Sequence, residues 1–199
     1  MRPHPRVWLD VFEKVVLVAL LGSLAYRLVP HLDQKPVNVL FLISETFVVA
    51  MIAVRQSTSR ISVRPADWLV GFGGTFLPLV VRDGTGAGVG GGVLMLMGFI
   101  VSVGAQLSLR RSLGVVAANR GVKTSGLYGI VRHPMYLGYF CTQIGFFLAN
   151  PTGWNAGILA LCLACQVCRI HAEERLLSDD LAYQAFKRRV HYRLVPRIY

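Results

Sequence analysis

YLGYFCTQIGFFLA (residues 136–149), NPTG (150–153) and WNAGILALCLACQVC (154–168) run without a break, and neither apolar run holds a charged residue. A helix apolar all round belongs in a bilayer or deep inside a large protein. Asn-Pro followed by Thr-Gly is a strong turn signal, because proline disfavours helix in the residue before it. The stretch therefore predicts a tight helical hairpin. Each run is shorter than the roughly 20 residues that cross a bilayer perpendicularly, so polar helical turns are expected to extend the hairpin at its base.

Working outward, further apolar runs cover residues 15–29, 37–54, 68–81 and 89–109, the third short and glycine-rich. The first follows a basic N-terminus, but Glu13 and Lys14 interrupt its start and other runs follow, which reads as a first membrane helix rather than a cleaved signal. The 199 residues are 54% hydrophobic and 16% charged, with a mean hydropathy of +0.52. A soluble domain carries about 25% charged residues. The expected fold is an all-α polytopic membrane protein with five to six transmembrane helices, the last two forming the hairpin, plus a cytoplasmic C-terminal helix. Residues 1–109 form the N-terminal membrane helices and residues 110–199 the region that carries the chemistry.

The net charge of +11 lies between apolar runs, which suits membrane lipids and topology control rather than nucleic acid. Arg55, Arg60 and Arg64 follow the second run. Arg110, Arg111, Arg120, Lys123 and Arg132 follow the fourth. Arg169, Arg175, Lys187, Arg188, Arg189, Arg193 and Arg197 fill the tail, while the opposite loops hold little beyond Lys35 and Arg82. The positive-inside rule then places the polar regions 110–132 and 169–199, and both termini, in the cytoplasm. Leu176, Leu177, Leu181, Tyr183 and Phe186 recur at helical spacing among charges, the pattern of an amphipathic surface helix.

Several features carry less. Gly86-Ala87-Gly88-Val89-Gly90-Gly91 matches G-x-G-x-x-G, but it opens a membrane helix instead of following a strand, so close helix packing or a flexible loop explains it. Cys141, Cys162, Cys165 and Cys168 all sit in apolar runs and read as small packing residues. The spacing of the last three drifts around a helix, and no polar second shell is evident, so no metal is expected. Glu45 stands mid-run in the second helix, where a carboxylate is expensive enough to invite a functional reading; pairing with a neighbouring helix would also explain it.

The chemistry gathers in Gly126-Leu127-Tyr128-Gly129-Ile130-Val131-Arg132-His133-Pro134-Met135-Tyr136-Leu137-Gly138. Pro134 suits the first turn of a helix. The free N–H groups of that turn, with Arg132 and His133, can meet an anionic group. Tyr and Arg also occur at headgroup level simply as anchors. A second cluster, Arg169-Ile170-His171-Ala172-Glu173-Glu174-Arg175, closes the sixth run. Arg169 and Glu173 are four residues apart and share a helical face.

Arg-His-Pro-x-Tyr-x-Gly, an apolar hairpin of this length and then Glu-Glu resembles the signature of the isoprenylcysteine carboxyl methyltransferase family and the related membrane phospholipid methyltransferases. Lys123-Thr124-Ser125-Gly126-Leu127-Tyr128 before it and Arg193-Leu194-Val195-Pro196 after it fit the same pattern, which covers residues 105–199. The resemblance implies a small α-helical membrane enzyme that binds S-adenosylmethionine in a cytoplasmic pocket capped by its C-terminal segment. It assigns cofactor contacts to Arg120, Gly121, Val122, Lys123, Tyr128, His133, Pro134, Met135, Tyr136 and Glu173, and a substrate carboxylate to Arg169. Arg120, Gly121 and Lys123 depart from the identities usual there. The catalytic set is expected to be Arg169, Glu173 and Glu174. A carboxylate nucleophile is already ionised and asks only for an orienting cation such as Arg169. A phospholipid amine would ask for a base such as Glu174 or His171. The expected partners are a lipophilic or lipidated substrate and membrane lipids.

Overall fold

The computed structural model describes residues 5–54, 62, 64–86, 89–109, 115–116 and 122–198. Among them lie seven α-helices and no strand: α1 (Pro5–Leu28), α2 (Asn38–Ala53), α3 (Pro65–Phe76), α4 (Val89–Leu109), α5 (Pro134–Ala149), α6 (Gly153–Leu176) and α7 (Leu181–Arg189). Short 3₁₀ turns follow α1 and α3 and precede α5. Arg55, Arg60, Arg110, Arg111 and Arg120, which weigh in the orientation argument, lie outside the described residues.

Local chemistry sets most boundaries. α3 and α5 each begin on a proline, whose missing N–H is no loss in a first turn. Thr152 caps α6 by accepting from the Asn155 N–H at 3.1 Å, and Asp180 caps α7 by accepting from Ala182 and Tyr183. The third apolar run becomes only 12 residues of α-helix before Leu77 and Pro78 turn it into 3₁₀. The sixth helix runs on past Cys168 to Leu176, because Arg, Ala and Glu are good helix formers and nothing there breaks the chain. The tail is not one amphipathic helix, since Leu176 ends α6 and Asp180 starts α7 afresh.

Two helices are long and apolar enough to cross a membrane, Gly90–Leu109 and Gly153–Leu176, and α2 is apolar but shorter. The partition of side chains is inside-out. Val93, Leu96, Met97 and Ile100 form one exposed stripe on α4, and Val11, Phe12, Val15 and Val18 another on α1. Ser44, Glu45, Ser102, Gln106, Thr142, Gln143, Gln166 and Arg169 are buried instead. Apolar faces of this kind mark contact with a membrane or with another protein.

α4 and α5 meet backbone to backbone. A Cβ on Gly98 would lie 2.5 Å from the Thr142 N and 2.6 Å from the Gly138 O, and one on Gly138 would lie 2.5 Å from the Ser102 N. Gly91 and Gly145 face each other a further two turns along. Small residues seven apart on both helices give this seam, as membrane helices that associate without a hydrophobic driving force require. Of the glycine-rich stretch, Gly86 abuts Pro151 and Gly91, already in α4, abuts Gly145, whereas Gly90 faces open space and residues 87–88 lie outside the described residues.

At the far end of α5, Asn150 ties four segments together. Its Nδ2 donates to Asn38 Oδ1 at 2.8 Å, while its Oδ1 accepts from Lys35 Nζ at 3.2 Å and from the Gly84 N–H at 3.1 Å. Asn155 Nδ2 donates to the Asn150 O at 2.8 Å and to the Arg82 O at 2.9 Å.

Gly98→Val should wedge α4 from α5 and destabilise the fold by roughly 1–3 kcal/mol. Gly90→Ala should be silent, because a Cβ there meets nothing within 4 Å. Thermal unfolding of both variants in the same detergent checks the contrast.

Candidate active site

The first turn of α5 meets the last turns of α6. Glu173 and Glu174 are neighbours on α6, so their side chains leave the helix about 100° apart and find different partners. Glu173 Oε1 accepts a short hydrogen bond from the Tyr136 hydroxyl, and its Oε2 lies 3.9 Å from His133 Nδ1. Glu174 Oε1 lies 3.2 Å from His133 Nε2 and 3.3 Å from Arg132 Nη2, and its Oε2 accepts from Arg193 Nε at 3.0 Å. The imidazole of His133 is thus held between two carboxylates.

The tail straps this cluster from outside. The Arg132 N–H donates to the Tyr192 O at 2.9 Å and the His133 N–H to the Arg193 O at 2.8 Å. Tyr183, Phe186, Val190 and Leu194 anchor the strap in the core. Arg189 Nη2 donates to the Thr124 O at 3.1 Å, fastening the loop before α5 to the same segment.

One helical turn inside Glu173, Arg169 is buried and points toward α3. Its Nη1 donates to Thr75 Oγ1 at 3.2 Å, and its guanidinium carbon lies 5.4 Å from the centre of the Tyr136 ring. Gly74 makes room for it, since a Cβ there would stand 3.1 Å from Arg169 Cδ. Arg169 and Met135 help line a narrow, partly open cleft of about 20 Å³ between α2, α3, α5 and α6, whose other walls include Glu45, Thr75, Tyr139, Gln143 and Gln166. Nearer the end of α6, Arg175 Nη2 grips Asp67 Oδ1 at 2.6 Å, and Ser62 donates to the same carboxylate at 2.5 Å. α3 is thereby fixed beside α6.

The structure brings together His133, Pro134, Met135, Tyr136, Arg169, Glu173 and Glu174. Tyr128 is buried nearby, and burial together with the charge of Glu173 pushes its phenol well above the usual range, so it stays neutral. Val122 packs against the core. Lys123 is half-buried and makes no side-chain hydrogen bond or ion pair with a described residue. Arg120 and Gly121 lie outside the described residues. His171 is exposed. Thr75, Gln143 and Gln166 were not expected at the site. The two glutamines carried a signal, as polar residues in otherwise apolar helices; Thr75 carried none.

The cysteines point apart. Cys162 is buried and accepts from Gln166 Nε2 at 3.4 Å, Cys165 lies against Gly73, and Cys168 is exposed.

Polar groups of both signs, an unfilled cleft and a helix start therefore share one end of a lipid-facing bundle. No curated protein matches the chain. A family model does: the phospholipid methyltransferase model matches residues 87–183, from the start of α4 into α7. That span contains the whole α5–α6 cluster, and over those residues the chain matches the phospholipid methyltransferase family, membrane-associated methyltransferases that include the isoprenylcysteine carboxyl methyltransferases.

Proposed function

We propose that the protein is a multi-pass membrane enzyme that transfers a methyl group from S-adenosylmethionine to a lipophilic acceptor at the cytoplasmic face of the bilayer. The observation that carries the reading is the placement of the His133–Tyr136–Glu173 cluster directly beside the Arg169 cleft, which sets a cofactor-binding group and an acceptor-binding group one helical turn apart. Five or six crossings, made by adding α1, α2, α3 and α5 to the two long apolar helices, bring the basic segments to one side.

The residues present fit the cofactor's amino-acid end. Arg132 is buried, and its Nε and Nη1 atoms have no hydrogen-bond partner among the described residues. α5 begins without a side-chain cap; Pro134 has no N–H and the Tyr136 and Leu137 N–H groups donate to the His133 O, so the first turn offers the Met135 N–H and the positive end of the helix dipole. These groups, with His133, receive a carboxylate, and Glu173 receives the ammonium. Tyr136 orients Glu173 and lends its ring face to cationic charge. When bound, the cofactor supplies a methyl group activated on a positive sulfur. The chain's own part is to orient the acceptor through Arg169 and the cofactor through His133 and Glu173, with the electron pair of the carbon–sulfur bond left on the bound cofactor's sulfur.

The acceptor is proposed to be the carboxylate of a prenylcysteine-like molecule, O-methylated with Arg169 holding the anion. A carboxylate loses no proton in the step, so no base is needed. The alternative is N-methylation of a phosphatidylethanolamine-type lipid, in which Arg169 holds the phosphate and one proton must leave the amine. Glu174 is a positioning residue in either case, since both its oxygens are already engaged.

Native membranes containing the protein, incubated with labelled S-adenosylmethionine, should yield a labelled lipophilic ester identifiable by mass spectrometry; a labelled phospholipid amine would select the alternative, and no labelled product would refute both. Glu173→Ala should weaken S-adenosylmethionine binding about tenfold or more with thermal stability little changed, as loss of a charge-assisted hydrogen bond implies. Unchanged affinity by calorimetry would remove Glu173 from the site. Glu174→Ala should act on the fold, destabilising it by roughly 3 kcal/mol because two guanidinium groups lose their counter-charge, and should expose residues 190–198 to protease. A variant that keeps its melting temperature and its tail protection would contradict that role.

A further inference from the structure

Glu45 belongs to α2, outside the residues that match the family. It is 6% exposed and forms part of the cleft wall opposite the cluster. The other carboxylates around the site all have partners: Asp67 has Ser62 and Arg175, Glu173 has Tyr136, and Glu174 has Arg132, His133 and Arg193. Glu45 makes no hydrogen bond or ion pair with any described residue, although Arg169 lines the same cleft. Two further acceptors lining the cleft are in the same position, because the buried side-chain oxygens of Gln143 and Gln166 have no donor among the described residues. Gln166 spends its amide nitrogen on Cys162.

A buried acceptor without a donor is disfavoured, most of all in an apolar medium. Whether protonated or ionised, a carboxyl group keeps an oxygen that accepts. Among its described lining residues the cleft therefore presents the guanidinium of Arg169, which also donates to Thr75, and three groups whose oxygens accept from no described residue: Glu45, Gln143 and Gln166. A head group that is only an anion would meet Arg169 and leave Glu45 unmatched. A head group that sets an N–H donor beside its anion would meet both.

We propose that Glu45 is a specificity-determining residue that receives the N–H donor of the acceptor's head group while Arg169 receives the adjacent anion. The inference deepens the methyltransferase reading and rests on it. Two lipid sources share this chemistry: an S-prenylated cysteine, whose amide N–H stands beside its carboxylate, and an aminoethyl phosphate head group, whose ammonium stands beside its phosphate. In the first the donor is a recognition handle; in the second it is the nucleophile itself, and Glu45 holds it at the cleft.

The test uses the full chain in lipid nanodiscs with labelled S-adenosylmethionine, comparing wild type with Glu45→Leu and Glu45→Gln. For the cysteine arm the probes are N-acetyl-S-farnesylcysteine and S-farnesylthiopropionate, which keeps the tail and carboxylate but lacks the N–H. Wild type should prefer the former in kcat/KM by about tenfold or more, as expected when a site built for an N–H meets an analogue without it. Glu45→Leu should bring the ratio to within about twofold of one, and Glu45→Gln, which keeps an acceptor, should retain part of the preference. For the phospholipid arm the probe is phosphatidylethanolamine, whose KM should rise about tenfold in Glu45→Leu. In both arms the S-adenosylmethionine affinity of the variants, read by calorimetry, should stay within about twofold of wild type, because the charged groups proposed to hold the cofactor, Arg132, His133 and Glu173, stand at the α5 start and on α6 rather than on α2. A ratio or KM unmoved in Glu45→Leu overturns the role of Glu45 while leaving the methyltransferase reading intact. A wild-type protein that binds no S-adenosylmethionine, or methylates neither class of probe, ends both together.

Discussion

The carboxylate of Glu174 collects charge from three separate parts of the chain: Arg132 and His133 from the approach to α5, and Arg193 from the tail. These groups would repel one another without it. The chain has 21 lysines and arginines against 10 acidic residues, so an acidic side chain at a junction of basic segments is a scarce resource. Here it neutralises the point at which the helix start, the helix end and the strap must coexist. The neighbouring Glu173 then faces the other way, held by Tyr136 and turned toward the His133 side of the cluster. One structural carboxylate and one available carboxylate on consecutive residues is what the helical turn of about 100° per residue permits.

The bilayer-facing exterior makes this arrangement consequential. With apolar side chains outside, the polar groups that are buried have only each other and the cleft. The α4–α5 seam is built from glycines and hydroxyl-bearing residues and so brings backbones close without large side chains between them. That seam sets where α5 begins, and with it the depth of His133 and Arg132. Asp67 performs the matching task on the other side, where its grip on Arg175 holds α3 against α6 so that Thr75 reaches Arg169.

Much of this was legible in the residues. Pro134 announces the start of α5, and Asn150-Pro151-Thr152-Gly153 announces the break before α6; both lie where the chain reads that they should. The spacing of Arg169, Glu173 and Glu174 foretells that they travel together on one helix. What stayed hidden is tertiary. Nothing in the sequence near Asp67 signals that Arg175 lies 108 positions away in the chain and 2.6 Å away in space. Glu174 looks like a candidate base until its three partners are placed around it. Glu45 is visible as an anomaly in an apolar run, but the cleft that gives it meaning is formed by four helices, and periodicity within one helix carries no information about the other three.

The Asn150 knot gives the bundle a mechanical polarity. Hydrogen bonds from Lys35, Gly84 and Asn155 converge on that residue and it donates one to Asn38, which makes it a pivot. The His133 end of the 16-residue α5 lies about 24 Å away along the axis at 1.5 Å per residue. A tilt of α5 too slight to disturb the knot is magnified along that lever arm. The contacts of Tyr136 with Glu173 and of His133 with Glu174 fasten the opposite end, so α5 is moored at both of its termini and the imidazole keeps its place between the paired glutamates.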